Sequence, residues 1–149
     1  MSRVVNPLES LPIFAGCSSA ALDLLAEAAT ACEVKKDEVV IREGEIGNRM
    51  FLMLSGSVRI YKQHQTPLEA ELARLTKGDF FGEMCILDTL PRSATVVAEE
   101  DTSLLVVSSM AFHALYTQMP AQYGLVVLNI ARDLSRRLRK LDSAFGARA

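Results

Sequence analysis

The chain has 149 residues and a formal net charge of −2 at pH 7; half of its residues are hydrophobic and 23% are charged. That length can bury a real core within one domain, and the mixture of apolar and charged residues, free of low-complexity tracts, excludes a disordered chain. A charge so near zero gives no overall attraction to nucleic acid or anionic membrane, so either contact would need a local basic patch. The opening MSRVVNPLESLP lacks the apolar core and cleavage site of a secretory signal, and no apolar run approaches the ~20 residues of a membrane span. A cytoplasmic location is expected. Cys17, Cys32 and Cys85 are odd in number and form no Cys-x-x-Cys pair, which points to reduced thiols rather than a disulfide framework or a thiolate metal site.

In chain order, residues 18–30 (SSAALDLLAEAAT) open with serines able to cap a helix and then repeat Leu22, Leu25, Ala26 and Ala29 at helical spacing, so the spacing predicts a short amphipathic helix. From 33 to 108 the texture becomes that of strands: VKKDEVVI, MFLMLSGSVRIY, EAELARL, SATVVA and TSLLVV are short, apolar or β-branched. Turn residues part them at Lys36-Asp37, Glu43-Gly44-Glu45, Ser55-Gly56, Gln65-Thr66-Pro67 and Lys77-Gly78-Asp79. Many short strands so spaced indicate a sandwich, jelly roll or barrel. Helical spacing returns at 109–117, Pro120 marks a break or a first-turn position, and 121–143 read as one long helix. Along it Ala131, Leu134, Leu138, Leu141 and Phe145 follow the three-four spacing of a coiled-coil seam. Such a seam either joins two copies in a homodimer or packs on its own β domain.

Chemistry concentrates in FGEMCILDTLPRSATV, residues 81–96. Phe80 to Leu87 read as a strand end passing through Gly82 into one helical turn, whose unpaired N–H groups can receive a phosphate. Asp88-Thr89-Leu90-Pro91 turn the chain and Arg92 to Val97 return as a strand. The planar fork of Arg92 can pair with a phosphate, while Glu83 can accept hydrogen bonds from sugar hydroxyls. The competing reading of these two residues is a structural ion pair that binds nothing.

The pattern F-G-E-M-C-I-L, a turn, then P-R-S-A-T-V resembles the phosphate-binding cassette of cyclic nucleotide-binding domains. LPIFAGCSSAALDLLA resembles the entry segment and first helix of that family, EVVIREGEIGNRMFLMLSGSVRIY its first strands, and residues 109–143 its two closing helices. The resemblance implies one domain over 1–149 of mainly β, α+β class: a helical entry (1–32), a double-stranded β-helix or jelly roll (33–108) and C-terminal helices (109–145). It implies cAMP, or less favourably cGMP, as ligand, with no cofactor as a catalyst and no enzymatic activity. Arg92 would then pair with the cyclic phosphate, Glu83 with the ribose 2′-hydroxyl, and Ser93 with the phosphate or a purine edge. Gly82 and the N–H groups near Met84, Cys85 and Ala94 would complete the phosphate shell, and Ala73 and the long helix would lie close to the base.

Two positions depart from the family pattern. Cys85 replaces the usual alanine, either as a small buried residue or, in the first turn of a helix, as a thiol of lowered pKa. Asp37 replaces a turn glycine and must tolerate a left-handed backbone. Arg132, Arg136, Arg137, Arg139 and Lys140 make the end of the long helix basic, which complements the helix C-terminus; Arg132 and Arg136 are the candidates for closing over the base. Glu99, Glu100 and Asp101 read as a solvated turn. Two separated histidines, His64 and His113, are too few for a barrel metal enzyme. The partners expected are a cyclic nucleotide, a second copy through the long helix and an effector protein, with no nucleic acid and no membrane. Met1 favours a stand-alone sensor over a piece of something longer. The rival function is a nucleotide-free interaction domain of the same fold.

Overall fold

The computed structural model describes residues 6–87 and 90–146. Residues 1–5, Asp88 and Thr89 of the expected turn, residues 147–149, and the side chain of Phe145 that ends the expected seam lie outside the described residues.

A 3-10 turn over Pro12–Phe14 leads into α1 (Ser19–Ala28), capped by Ser18, whose hydroxyl accepts from the Ala21 N–H at 3.2 Å. The helix stops where Ala29 turns extended, and Thr30–Val34 form β1, so residues 30–32, expected in the helical entry, belong to the sheet. Thr30 pairs with Val106 and Val34 with Thr102, and this cross-strand pairing overrides the helical spacing that the alanines continue. The strands that follow are β2 (Val39–Ile41), β3 (Arg49–Ser55), β4 (Ser57–Lys62), β5 (Ala70–Thr76) and β6 (Phe80–Phe81). A short helix α2 (Met84–Leu87) separates these from β7 (Thr95–Ala98) and β8 (Thr102–Ser108). The chain closes with α3 (Ser109–Gln118), capped by Ser108, and α4 (Pro120–Gly146), which Pro120 begins. Asp37 holds the left-handed backbone that its place in the turn requires, at φ 71°.

The strands form two four-stranded antiparallel sheets, ordered β1-β8-β3-β6 and β2-β7-β4-β5. This is the mainly β jelly roll expected, with helices at both ends. Successive side chains of a strand point to opposite faces, and the first sheet is buried on both. Met50, Leu52, Leu105 and Val107 face the helical layer of Phe14, Leu22, Leu25, Phe112, Leu115, Val126 and Ile130. Phe51, Met53, Leu104 and Val106 face the second sheet, against Ile41, Val58 and Val96. The same alternation divides β6: Phe80 enters the helical layer and Phe81 the layer between the sheets. Phe81 stacks on Phe51 with ring centroids 5.0 Å apart.

The second sheet turns a polar face outward. There Glu99 is not merely solvated, as its turn position implied: it accepts from Arg59 Nε at 3.0 Å, from Arg59 Nη2 at 2.6 Å and from the Ser57 hydroxyl at 2.9 Å. Those bonds, with that of Arg74, hold its carboxyl at about 2. Along α4, Val126 and Ile130 are fully buried and Leu134 packs against the same layer, while Ala131 and Leu138 of the expected seam are exposed. Among the described residues no helix is long and apolar enough to cross a membrane.

Candidate functional site

The site begins where β6 ends. With Phe80 and Phe81 fixed in two different layers, Gly82 adopts φ 79°, a left-handed conformation that an L side chain resists. A Cβ there would also crowd the Arg49 carbonyl and Arg92 Nη1, each at 2.9 Å. The turn through Gly82 aims Glu83 inward, where the residue is 6% exposed, and starts α2. Burial pushes the Glu83 carboxyl above the ordinary range, against the opposing pull of the Arg137 and Arg92 guanidinium groups.

Arg92 enters from the returning limb. Its backbone is bonded on both sides to the turn after β2: its N–H donates to the Glu45 carbonyl at 2.7 Å and its carbonyl accepts from Gly44 N–H at 2.8 Å. Its side chain does not pair with Glu83. Nη1 donates to the Gly82 carbonyl at 3.0 Å and Nη2 to the Arg49 carbonyl at 2.8 Å, and a Cβ on Gly47 would overlap the guanidinium. Neither the motif nor its spacing marked Gly47; only the folded turn brings it against Arg92.

Gly82, Glu83, Met84, Cys85, Arg92, Ser93 and Ala94 line one cleft together with Ile41, Ile60 and Val96. The free volume of the cleft is ≈ 90 Å³, below the several hundred Å³ typical of small-molecule sites. Arg137 of α4 also lines it. Its Nη2 donates to the Phe80 carbonyl at 2.6 Å, Nη1 lies 3.9 Å from Glu83 Oε1, and Nε lies 2.7 Å from Asp133 Oδ2. The guanidinium stands 4.8 Å over the Phe80 ring.

Three expected residues lie elsewhere. Arg132 and Arg136 are exposed, and Arg136 lies 3.7 Å from Asp133. The inward stripe of α4 runs Val126, Ile130, Leu134, and helical spacing continues it to Arg137, not to Arg132 or Arg136. Extending that stripe by three residues was the signal that could have selected Arg137. Ala73 pairs with Ile60 across the second sheet, in a shallow depression with Arg59, Glu71 and Arg74 rather than in the cleft. Cys85 lines the cleft, yet partial burial pushes its thiol up, with the Arg92 guanidinium opposing, so the lowered pKa expected of a helical first turn does not arise. The three cysteines are free, and among the described residues no group of three His, Cys, Asp or Glu side chains comes together as a metal site.

The family profile for the cyclic nucleotide-binding domain matches residues 31–119, which include β6, α2 and the returning limb. The chain is 35% identical over 135 residues to the cyclic AMP receptor protein of Thermus thermophilus, an alignment covering 91% of this chain and 61% of that protein. It is 38% identical over 111 residues to a cyclic nucleotide-gated potassium channel of Mesorhizobium japonicum, covering 74% of this chain and 29% of the channel. Among solved structures, the catabolite activator protein of T. thermophilus superimposes with a TM-score of 0.74 at 34% identity, over 91% of this chain and 62% of that one. A cyclic nucleotide-binding domain from Methylobacillus flagellatus gives 0.83 at 24% identity, over 96% and 80%, a likeness of fold alone. The chain therefore spans less than two thirds of the curated relatives named. With the cassette, the two sheets and the profile agreeing over the same residues, this chain belongs to the cyclic nucleotide-binding domain family.

Proposed function

We propose that the protein is a non-enzymatic sensor that binds cAMP in preference to cGMP between Glu83 and Arg92. The observation that carries this reading is that the Glu83 carboxyl and the Arg92 guanidinium converge on one cleft without pairing with each other. The guanidinium instead rests on two backbone carbonyls, acceptors that a phosphate outcompetes because a charge-assisted bidentate pair is the stronger one. Ser93, next to it in the same cleft, offers a hydroxyl to the phosphate or the base. The α2 N–H groups are suited to the phosphate and the Glu83 carboxylate to the ribose.

Output runs through α4. Arg137 occupies the carboxylate side of the cleft, so a ribose taken by Glu83 changes the contacts that hold the helix, and a ligand shifts conformation only by such differential contacts. Helix movement would then act on a second copy through Ala131 and Leu138, or on an effector protein. The narrow free volume favours one other reading, an interaction domain whose cleft Arg137 fills permanently. Calorimetric titration with cAMP and cGMP separates the two. The sensor binds cAMP more tightly than cGMP and loses binding on Arg92→Ala; absence of heat with both nucleotides, in protein whose fold is verified by circular dichroism, defeats it.

A further inference from the structure

Lys62 ends β4 outside the cleft, yet it is bonded into the limb that carries Arg92. Its Nζ donates to the Ser93 carbonyl at 2.7 Å and lies 3.5 Å from Glu43 Oε2. The other carboxylate oxygen of Glu43 accepts from the Gln63 N–H at 2.9 Å. Gln63 has φ 52°, a left-handed conformation that a non-glycine residue keeps only where its surroundings enforce it. The backbone of the same Glu43 faces the other way, its N–H donating to Thr95 Oγ1 at 3.0 Å. Its neighbours Gly44 and Glu45 take up both backbone groups of Arg92. The carbonyls of Arg92 and Ser93, the Arg92 N–H and the Thr95 hydroxyl are therefore all tied to two chain ends that meet at Glu43.

We infer that Lys62 and Glu43 form a clasp that positions the Arg92–Ala94 limb, making Lys62 a positioning residue for nucleotide binding rather than a phosphate ligand. The side chains are 47% and 30% exposed, so as an isolated ion pair they would contribute little to stability. Their effect is directional: a cation near an expected anion site is turned onto a carbonyl, and the limb it holds points the guanidinium at the cleft. Bonding from Gln63 keeps the Glu43 carboxyl below its ordinary range. The consequence for affinity rests on the sensor reading; the clasp itself does not.

The test has two arms, on wild type, Lys62→Met, Glu43→Gln and the double variant. In ligand-free protein, amide hydrogen exchange at Arg92 and Gly44 is expected to accelerate in both single variants while amides of β8 keep their rates; unchanged exchange at Arg92 and Gly44 overturns the clasp whatever the ligand proves to be. In titrations with cAMP, each single variant is expected to weaken binding about fivefold, as for loss of one hydrogen bond, and the double variant no further, since the two residues act as one unit. The ratio of affinities for the two phosphorothioate diastereomers of cAMP should move toward one, because it reads the aim of Arg92 at individual phosphate oxygens. Lys62→Arg is expected to restore most of the affinity. Unchanged or tighter binding by Glu43→Gln beside weaker binding by Lys62→Met would identify Lys62 as a direct phosphate ligand and overturn the inference. Weakening with an unchanged diastereomer ratio would reduce its role to general stability, which also overturns it. A wild type that binds neither diastereomer fails the sensor reading alone, and the exchange arm still decides the clasp.

Discussion

Glu83 and Arg92 face the same cleft but are held there by different means. Glu83 follows a two-residue strand whose phenylalanines are 3% and 2% exposed, and it is itself buried. Arg92 follows a more exposed limb, located by directed bonds to the turn between β2 and β3. Packing fixes the carboxylate and desolvates it, which raises its affinity for a proton; hydrogen bonds fix the guanidinium, which makes it dependent on fit. The carboxylate half should therefore respond to pH and the guanidinium half to small steric changes.

The largest effect is expected from Gly47→Ala. The added methyl overlaps the guanidinium. Loss of two charge-assisted bonds to a phosphate corresponds to about 100-fold weaker cAMP binding, read by calorimetry. On the other half, Arg137→Ala removes the cation beside a buried carboxylate and the donor to the Phe80 carbonyl. A stability loss of about 2 kcal/mol in urea unfolding at pH 7 is expected.

The pH response sharpens the contrast further. Burial raises the folded-state pKa of Glu83 above its unfolded value, about 4.3 for a free glutamate. The folded protein thus holds this proton more tightly, and the stability it contributes is complete below that value and lost as pH rises through the folded pKa. Glu83→Gln cannot lose it, so urea unfolding between pH 4 and 7 should show wild type losing stability relative to the glutamine variant. Arg92→Lys, altering the other half, should leave that trend in place. The smallest effect belongs to Cys85→Ala, with cAMP affinity within about threefold of wild type for replacement of a small half-buried side chain. Because its thiol is pushed up, alkylation of Cys85 should be slow at pH 7 and accelerate with pH.

Much of this arrangement was legible in the sequence, because the residues concerned have local reasons to be where they are. Strand texture broken by turn residues located the jelly roll, and Gly44, Gly56, Gly78 and Gly82 all take positive φ. Pro120 opens α4, and Gly82, Glu83, Met84, Cys85, Arg92, Ser93 and Ala94 of the cassette line one cleft. What stayed hidden needed partners distant in the chain. The start of β1 at Thr30 is decided by pairing with β8, more than 70 residues away. That Arg137 lines the cleft, while Arg132 and Arg136 are exposed, depends on the rotational phase of a 27-residue helix against the core. Ala73 faces a depression rather than the cleft because of the register of β5 on β4, and Gly47 matters only once its turn lies against Arg92.

The two adjacent phenylalanines of β6 give the site a mechanical character. A short splint pinned at one end in the helical layer and at the other between the sheets cannot follow either layer alone, so the carboxylate beyond it registers slackness in both. Core substitutions far from the cleft, such as Phe112→Leu on the helical side or Val58→Ala between the sheets, would then blunt ligand grip well before they unfold the protein. Bound nucleotide, acting back through the same splint, would stiffen two layers that share no other two-residue strand among the described elements.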